Sequence, residues 1–180
     1  MTKILNINQK LTLVTMSKLL VISIALFQFL GCNTLQEKEF SKESLTKKLI
    51  TTENKELSFK DVLSKHSGKT VVIEVWASWC GDCVKAMPKV KEMQTNNPNV
   101  DYVFISMDKS FDNWKAGISK HDLKGDHYWA TDGMKGAFGK SIDLDWIPRY
   151  IIIDKKGKVV TYRATEKNFE EINTTLKKIN

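Results

Sequence analysis

Several common functional signatures are missing from this sequence. Its 180 residues include only three prolines, three cysteines and three histidines. It has no internal repeat and no low-complexity tract, and it is too short for two full-sized domains. The net charge is +7, with no dense Lys/Arg stripe, so nucleic-acid binding is not expected. Gly139-Lys140-Ser141 would need a glycine at position 134 to complete a phosphate-binding loop. Met134 stands there, and Gly133 misses by one. His66, His121 and His127 are scattered and hold no metal-ligand spacing with the cysteines. A lone Cys-x-x-Cys also lacks the second ligand pair of a structural zinc site. No metal and no cofactor is expected.

The N-terminal apolar run, residues 19–30, falls short of the roughly 20 residues that a transmembrane helix needs. Met16-Ser17-Lys18 precedes it and Gly31-Cys32 follows it. A cationic start, a short apolar core and a small residue before a cut describe a signal peptide over residues 1–31. Met16 would begin a signal of ordinary length, and residues 1–15 read as an upstream extension. Phe29-Leu30-Gly31-Cys32 resembles the lipobox of bacterial lipoproteins, with Phe29 where Leu is commonest. That resemblance implies cleavage before Cys32 and lipid on its sulfur. The alternatives are a plain secretory signal with an incidental cysteine, or an uncut anchor. With Cys32 lipidated, only Cys80 and Cys83 remain, and no odd cysteine needs explaining. Export would place that pair in an oxidising compartment, where a disulfide persists.

Residues 33–48 are polar and charged, and read as a tether. The domain is expected to span residues 49–180. Residues 50–57 predict a small hairpin, and 58–63 a short helix capped by Ser58. Residues 71–77 form an apolar run rich in β-branched residues, as in a central strand covered on both faces. From Cys80 to about Asn96 the apolar residues Val84, Met87, Val90 and Met93 recur at helical spacing. A second strand is expected at 100–107, a helix at 112–121, a short strand at 128–131 and a helical turn at 135–140. Strands at 150–154 and 158–163 flank the turn signal Lys155-Lys156-Gly157. Phe169, Ile172, Leu176 and Ile179 then share one face of a closing helix. The order predicts an α/β sandwich with a central mixed sheet flanked by helices.

The chemistry centres on Cys80-Gly81-Asp82-Cys83. Cys80 falls where the strand gives way to the helix, so unpaired amides and the helix dipole favour its thiolate. Cys83, one turn further in, is the resolving sulfur: it attacks Cys80 once a mixed disulfide has formed. Glu74 is the single charge in the run 71–77. Burying it costs several kcal/mol, so its pKa should rise, leaving it partly protonated and able to take the proton from Cys83. The alternatives for Glu74 are escape to solvent or pairing with a lysine. Pro148, just before an apolar strand, fits a cis turn leading into it; an ordinary trans proline is the alternative.

Trp76-Ala77-Ser78-Trp79-Cys80-Gly81-Asp82-Cys83, Pro88, Glu74 and Ile147-Pro148 together resemble the thioredoxin superfamily, specifically its membrane-tethered TlpA-like branch. The likeness covers about 49–180. It implies a thioredoxin-like sandwich with an insertion before a cis-Pro at 148. It also implies that Pro148 faces the Cys80–Cys83 disulfide and that the Ile147 backbone pairs with an extended substrate. Trp79, Gly81 and Asp82 fall on the substrate-facing rim. The activity implied is thiol–disulfide exchange with protein substrates outside the cytoplasm, usually in the reducing direction. Electrons would come from a membrane thiol carrier, and cytochrome c maturation is one known use. Asp82 departs from the proline of cytosolic thioredoxins. Its charge beside a developing thiolate is expected to make the couple more reducing, the alternative being an ordinary helix-start Asp. Arg149 is a second departure, either a partner contact or a solvated rim charge. Asp143 and Asp145 read as solvated loop acids. Trp129 and Trp146 read as core or rim packing, with Trp146 near the substrate groove. A peroxiredoxin-like thiol peroxidase and a metal chaperone on the same fold are the competing functions. The second cysteine three residues on argues against the first, and the two-residue spacing within the pair against the second.

Overall fold

The computed structural model describes residues 39–180. The expected signal peptide, the expected lipidation at Cys32 and residues 33–38 of the expected tether lie outside the described residues. Among the described residues a seven-stranded mixed sheet runs in the order β2-β1-β5-β4-β3-β6-β7. The strands are β1 Lys48–Thr51, β2 Glu56–Ser58, β3 Val71–Trp76, β4 Asp101–Ser106, β5 Asp126–Trp129, β6 Arg149–Ile153 and β7 Val159–Ala164. The helices are α1 Lys42–Thr46, α2 Phe59–Ser64, α3 Gly81–Asn96, α4 Phe111–His121, α5 Ala137–Ser141 and α6 Phe169–Ile179.

The centre of the sheet follows from its composition. Every residue of β3 and of β6 is buried, as expected for strands covered on both faces. β3 pairs parallel with β4 and antiparallel with β6, so the sheet is mixed at its middle. β4 pairs parallel with β5, and α4, β5 and α5 fill the stretch between β4 and Pro148. This is the thioredoxin-like sandwich with the expected insertion.

The predicted hairpin forms, and it belongs to the main sheet. β1 pairs antiparallel with β5 as well as with β2, which extends the main sheet at one edge. The fold begins before Leu49. Residues 42–46, inside the expected tether, form α1, capped by the Ser41 side chain and with Ser44 buried. Phe40 packs edge-on against Phe59 at 4.8 Å between ring centroids and lies 5.9 Å from Tyr162. The polarity of this segment concealed two apolar anchors, Phe40 and Leu45, which pack against the core. Ser58 caps α2 as expected, in a reciprocal pair with Asp61.

Candidate active site

β3 ends at Trp76 and the chain turns through Ala77 to Trp79 before α3 begins. Cys80 is the cap residue of α3, and its sulfur accepts from the Cys83 amide at 3.1 Å. The turn holds together through Asp108, which is buried at the end of β4. Its carboxylate accepts from the Ser78 amide at 3.0 Å and from the Ser78 hydroxyl at 2.6 Å. The Ser106 hydroxyl donates to it as well, at 2.7 Å. Behind the turn, α4 comes close at Gly117. A Cβ there would lie 2.8 Å from Ser78 Cβ and 3.0 Å from the Trp76 ring. Only glycine allows this approach.

Cys80 and Cys83 form a disulfide. Cys83 is fully buried and Cys80 is 6% exposed, so Cys80 is the less buried of the two. Its Sγ lies 3.6 Å from the Ile147 carbonyl oxygen, across the Ile147–Pro148 bond, which is cis. Trp79 and Trp146 are each 54% exposed. One precedes Cys80 in the chain and the other precedes Ile147. Gly81 is exposed, and Asp82 has Lys85 Nζ 4.0 Å away.

Glu74 is buried at mid-strand and does not reach solvent. It sits opposite Tyr150 in the β3–β6 register, and the Tyr150 hydroxyl donates to Oε1 at 3.4 Å. Oε2 is buried with no hydrogen-bond partner. Burial pushes the Glu74 pKa up to about 8, and the Tyr150 hydrogen bond offsets only part of that rise. At neutral pH Glu74 is therefore mostly protonated, with a minor ionised fraction. Tyr150 packs on Phe169 of α6, and Lys89 of α3 lies over the same ring. Glu74 thus faces the α3 side of the sheet, the side from which Cys83 hangs.

Arg149 is neither a solvated rim charge nor a surface contact. It is 1% exposed, because it opens a strand buried on both faces. It pairs with Asp145, which also accepts from Arg163 Nη1 at 2.8 Å, while Arg163 pairs with Asp143. Both loop acids are solvent-exposed, as expected, and each also partners an arginine. Trp129 packs as expected: its Nε1 donates to the Asp108 carbonyl at 2.8 Å and its ring stacks on Trp114.

Asp108 is the site residue that sequence reasoning passed over. The available signal was an acid placed directly after an apolar strand whose parallel neighbour ends at the cysteine turn.

A cysteine pair at a helix start, opposed by a cis-Pro on a mixed sheet, defines a redox site, and comparison with known families agrees. The Redoxin family profile matches residues 38–178. The chain belongs to the Redoxin family. Over 152 residues this Redoxin domain is 28% identical to the thiol-disulfide oxidoreductase ResA of Bacillus thuringiensis subsp. konkukian, covering 83% of this chain and 84% of that one. It is 28% identical over 113 residues to the thiol:disulfide interchange protein DsbE of Haemophilus influenzae, covering 62% of this chain and 60% of that one. Its fold matches the thioredoxin domain of a thiol-disulfide oxidoreductase from Bacteroides vulgatus with a TM-score of 0.61. That match has 20% identity and covers 79% of this chain and all of the other. The Redoxin domain is a thiol–disulfide oxidoreductase, and the TlpA-like resemblance is consistent with these relatives.

Proposed function

We propose that the chain is an extracytoplasmic, lipid-anchored reductase of protein disulfides. The observation that carries this reading is the asymmetric sulfur pair. Cys80 lies beside the Ile147 carbonyl and keeps a small exposure, while Cys83 is fully buried. In the reduced enzyme the Cys80 thiolate, favoured by the start of α3, attacks a substrate disulfide. A Cys80–substrate disulfide forms and the second substrate sulfur leaves as a thiolate. The ionised fraction of Glu74, acting through the α3 face, takes the proton from Cys83. Cys83 then attacks Cys80 Sγ, the remaining substrate sulfur leaves, and the Cys80–Cys83 disulfide closes. Two electrons have passed to the substrate, and a membrane thiol donor restores the dithiol. The backbone at Ile147 and the rim of Trp79, Gly81, Asp82 and Pro148 receive the extended substrate segment.

Lipidation at Cys32 would fix the protein to the cell envelope and make a spanning helix unnecessary. Among the described residues no helix is long and apolar enough to cross a membrane. Delivery of electrons to cytochrome c maturation is one use of such an enzyme. The test is dithiothreitol-driven insulin reduction by the full chain in detergent, with peroxide consumption and copper retention measured in parallel. Insulin reduction is expected. Its absence, with stoichiometric copper retained, would overturn the proposal. The Cys80–Cys83 potential, measured against glutathione, decides the direction: a couple more oxidising than glutathione would contradict a reductase.

A further inference from the structure

The buried arginine next to the redox site has no part in sulfur chemistry. Side chains alternate faces along a strand. Tyr150 points with Glu74 toward α3 and α6, so Arg149 points to the opposite face. There its guanidinium meets Asp145, four residues earlier. Asp145 and Arg149 bracket Trp146-Ile147-Pro148, the segment whose Ile147 carbonyl lies 3.6 Å from Cys80 Sγ. Arg149 is also fixed to the scaffold, because it pairs with Val75 in the strand that leads to Cys80. Asp145 is held a second time by Arg163 of β7, whose other contact is Asp143. Both ends of the 145–149 loop are therefore pinned to β6 and β7 by charge.

We infer that Asp145 and Arg149 are positioning residues whose ion pair sets the Ile147 carbonyl against Cys80 and so fixes where a protein substrate's backbone docks. The burial pattern supports a purpose beyond stability. A fully buried guanidinium costs desolvation, and its Nε and Nη1 are buried without a hydrogen-bond partner. An apolar side chain at the start of β6 would satisfy the core at lower cost. What the arginine adds is a directed tie to one acid on the loop. This inference rests on the proposed reaction for its kinetic consequence, though not for its structural one.

Three variants test it: Asp145→Asn, Asp145→Glu, and the double variant Asp145→Asn/Arg149→Met. Asp145→Asn leaves Arg149 charged and unpaired, so it lowers stability; the double variant removes the buried charge and recovers it. Both are expected to raise KM for insulin by about tenfold with kcat within about twofold, because the loss is of docking geometry. Reduction of the Cys80–Cys83 disulfide by dithiothreitol, which needs no docked chain, stays at the wild-type rate. Asp145→Glu restores KM to within about threefold of wild type. Hydrogen exchange in residues 144–149 quickens in both asparagine variants and not in β3. A double variant with wild-type KM, or unchanged exchange at 144–149, would overturn the inference. Should wild type itself fail to reduce insulin, the proposed function falls, and the exchange result alone still decides this point.

Discussion

Glu74 shows how far a single residue can be read. One acid in an apolar β-branched run has either to escape or to neutralise, and the strand gives it no escape. Its raised pKa fixes the sign of a pH effect. Between about 4.5, its unfolded value, and about 8, the folded chain holds a proton that the unfolded chain has lost. The contribution to stability is complete below that window and is lost as pH climbs through it. Denaturation midpoints should therefore fall more steeply for wild type than for Glu74→Gln between about pH 5 and about pH 9; parallel profiles would contradict the assignment. In kinetics, Glu74→Gln should slow attack of Cys83 on a Cys80 mixed disulfide by roughly 100-fold, the usual scale of a positioned base. Stopped-flow thiol release at neutral pH would measure this.

Asp108 and Arg149 were hidden for the same reason that Glu74 was visible. Glu74 interrupts an apolar run in mid-strand. The other two stand at strand ends, where a charge ordinarily reaches water. Only the tertiary arrangement shows that the end of β4 is roofed by the Ser78 turn and the start of β6 by the arginine–acid cluster.

Among the elements, periodicity located the strands and helices that surround the cysteines, because those are long, buried and strongly patterned. It served less well at the edges. β5 begins at Asp126 and His127, a polar start that gives no strand signal, yet both residues pair with β4. α1 is a single turn in a polar segment, and its anchors are Phe40 and Leu45. Phe40→Ala should cost about 1–3 kcal/mol by urea denaturation, from lost burial and a lost edge-on ring contact. No change would mean that α1 does not support α2. At the other side of the site, Gly117→Ala should destabilise by about 1–3 kcal/mol through overpacking against Ser78 and Trp76. The displaced Ser78 turn should also slow insulin reduction; an unaffected rate would show that α4 does not set that turn.

At the scale of the whole molecule, the sheet serves to bring three chain segments to one point. β3 delivers Cys80, β6 delivers the Ile147 carbonyl, and β4 supplies the acid that secures the turn between β3 and α3. These segments are far apart in sequence, and the cysteine pair alone would not reveal their meeting. Glu74, Pro88 and Pro148 in the right order were enough to expect it. Asp82 belongs to this scale too, since the potential of the couple is a property of the assembled site. Asp82→Asn should make the couple less reducing in glutathione equilibration, and an unchanged potential would leave Asp82 as a simple helix-start residue.

The central claim is that the less buried sulfur, Cys80, reacts and the fully buried one, Cys83, resolves. Incubating Cys83→Ser and Cys80→Ser variants of the full chain with a protein disulfide, then mapping adducts by mass spectrometry, tests it directly. Cys83→Ser should accumulate a mixed disulfide at Cys80, and Cys80→Ser should accumulate none. An adduct on Cys83 in the Cys80→Ser chain, with none on Cys80 in the other, would contradict the account.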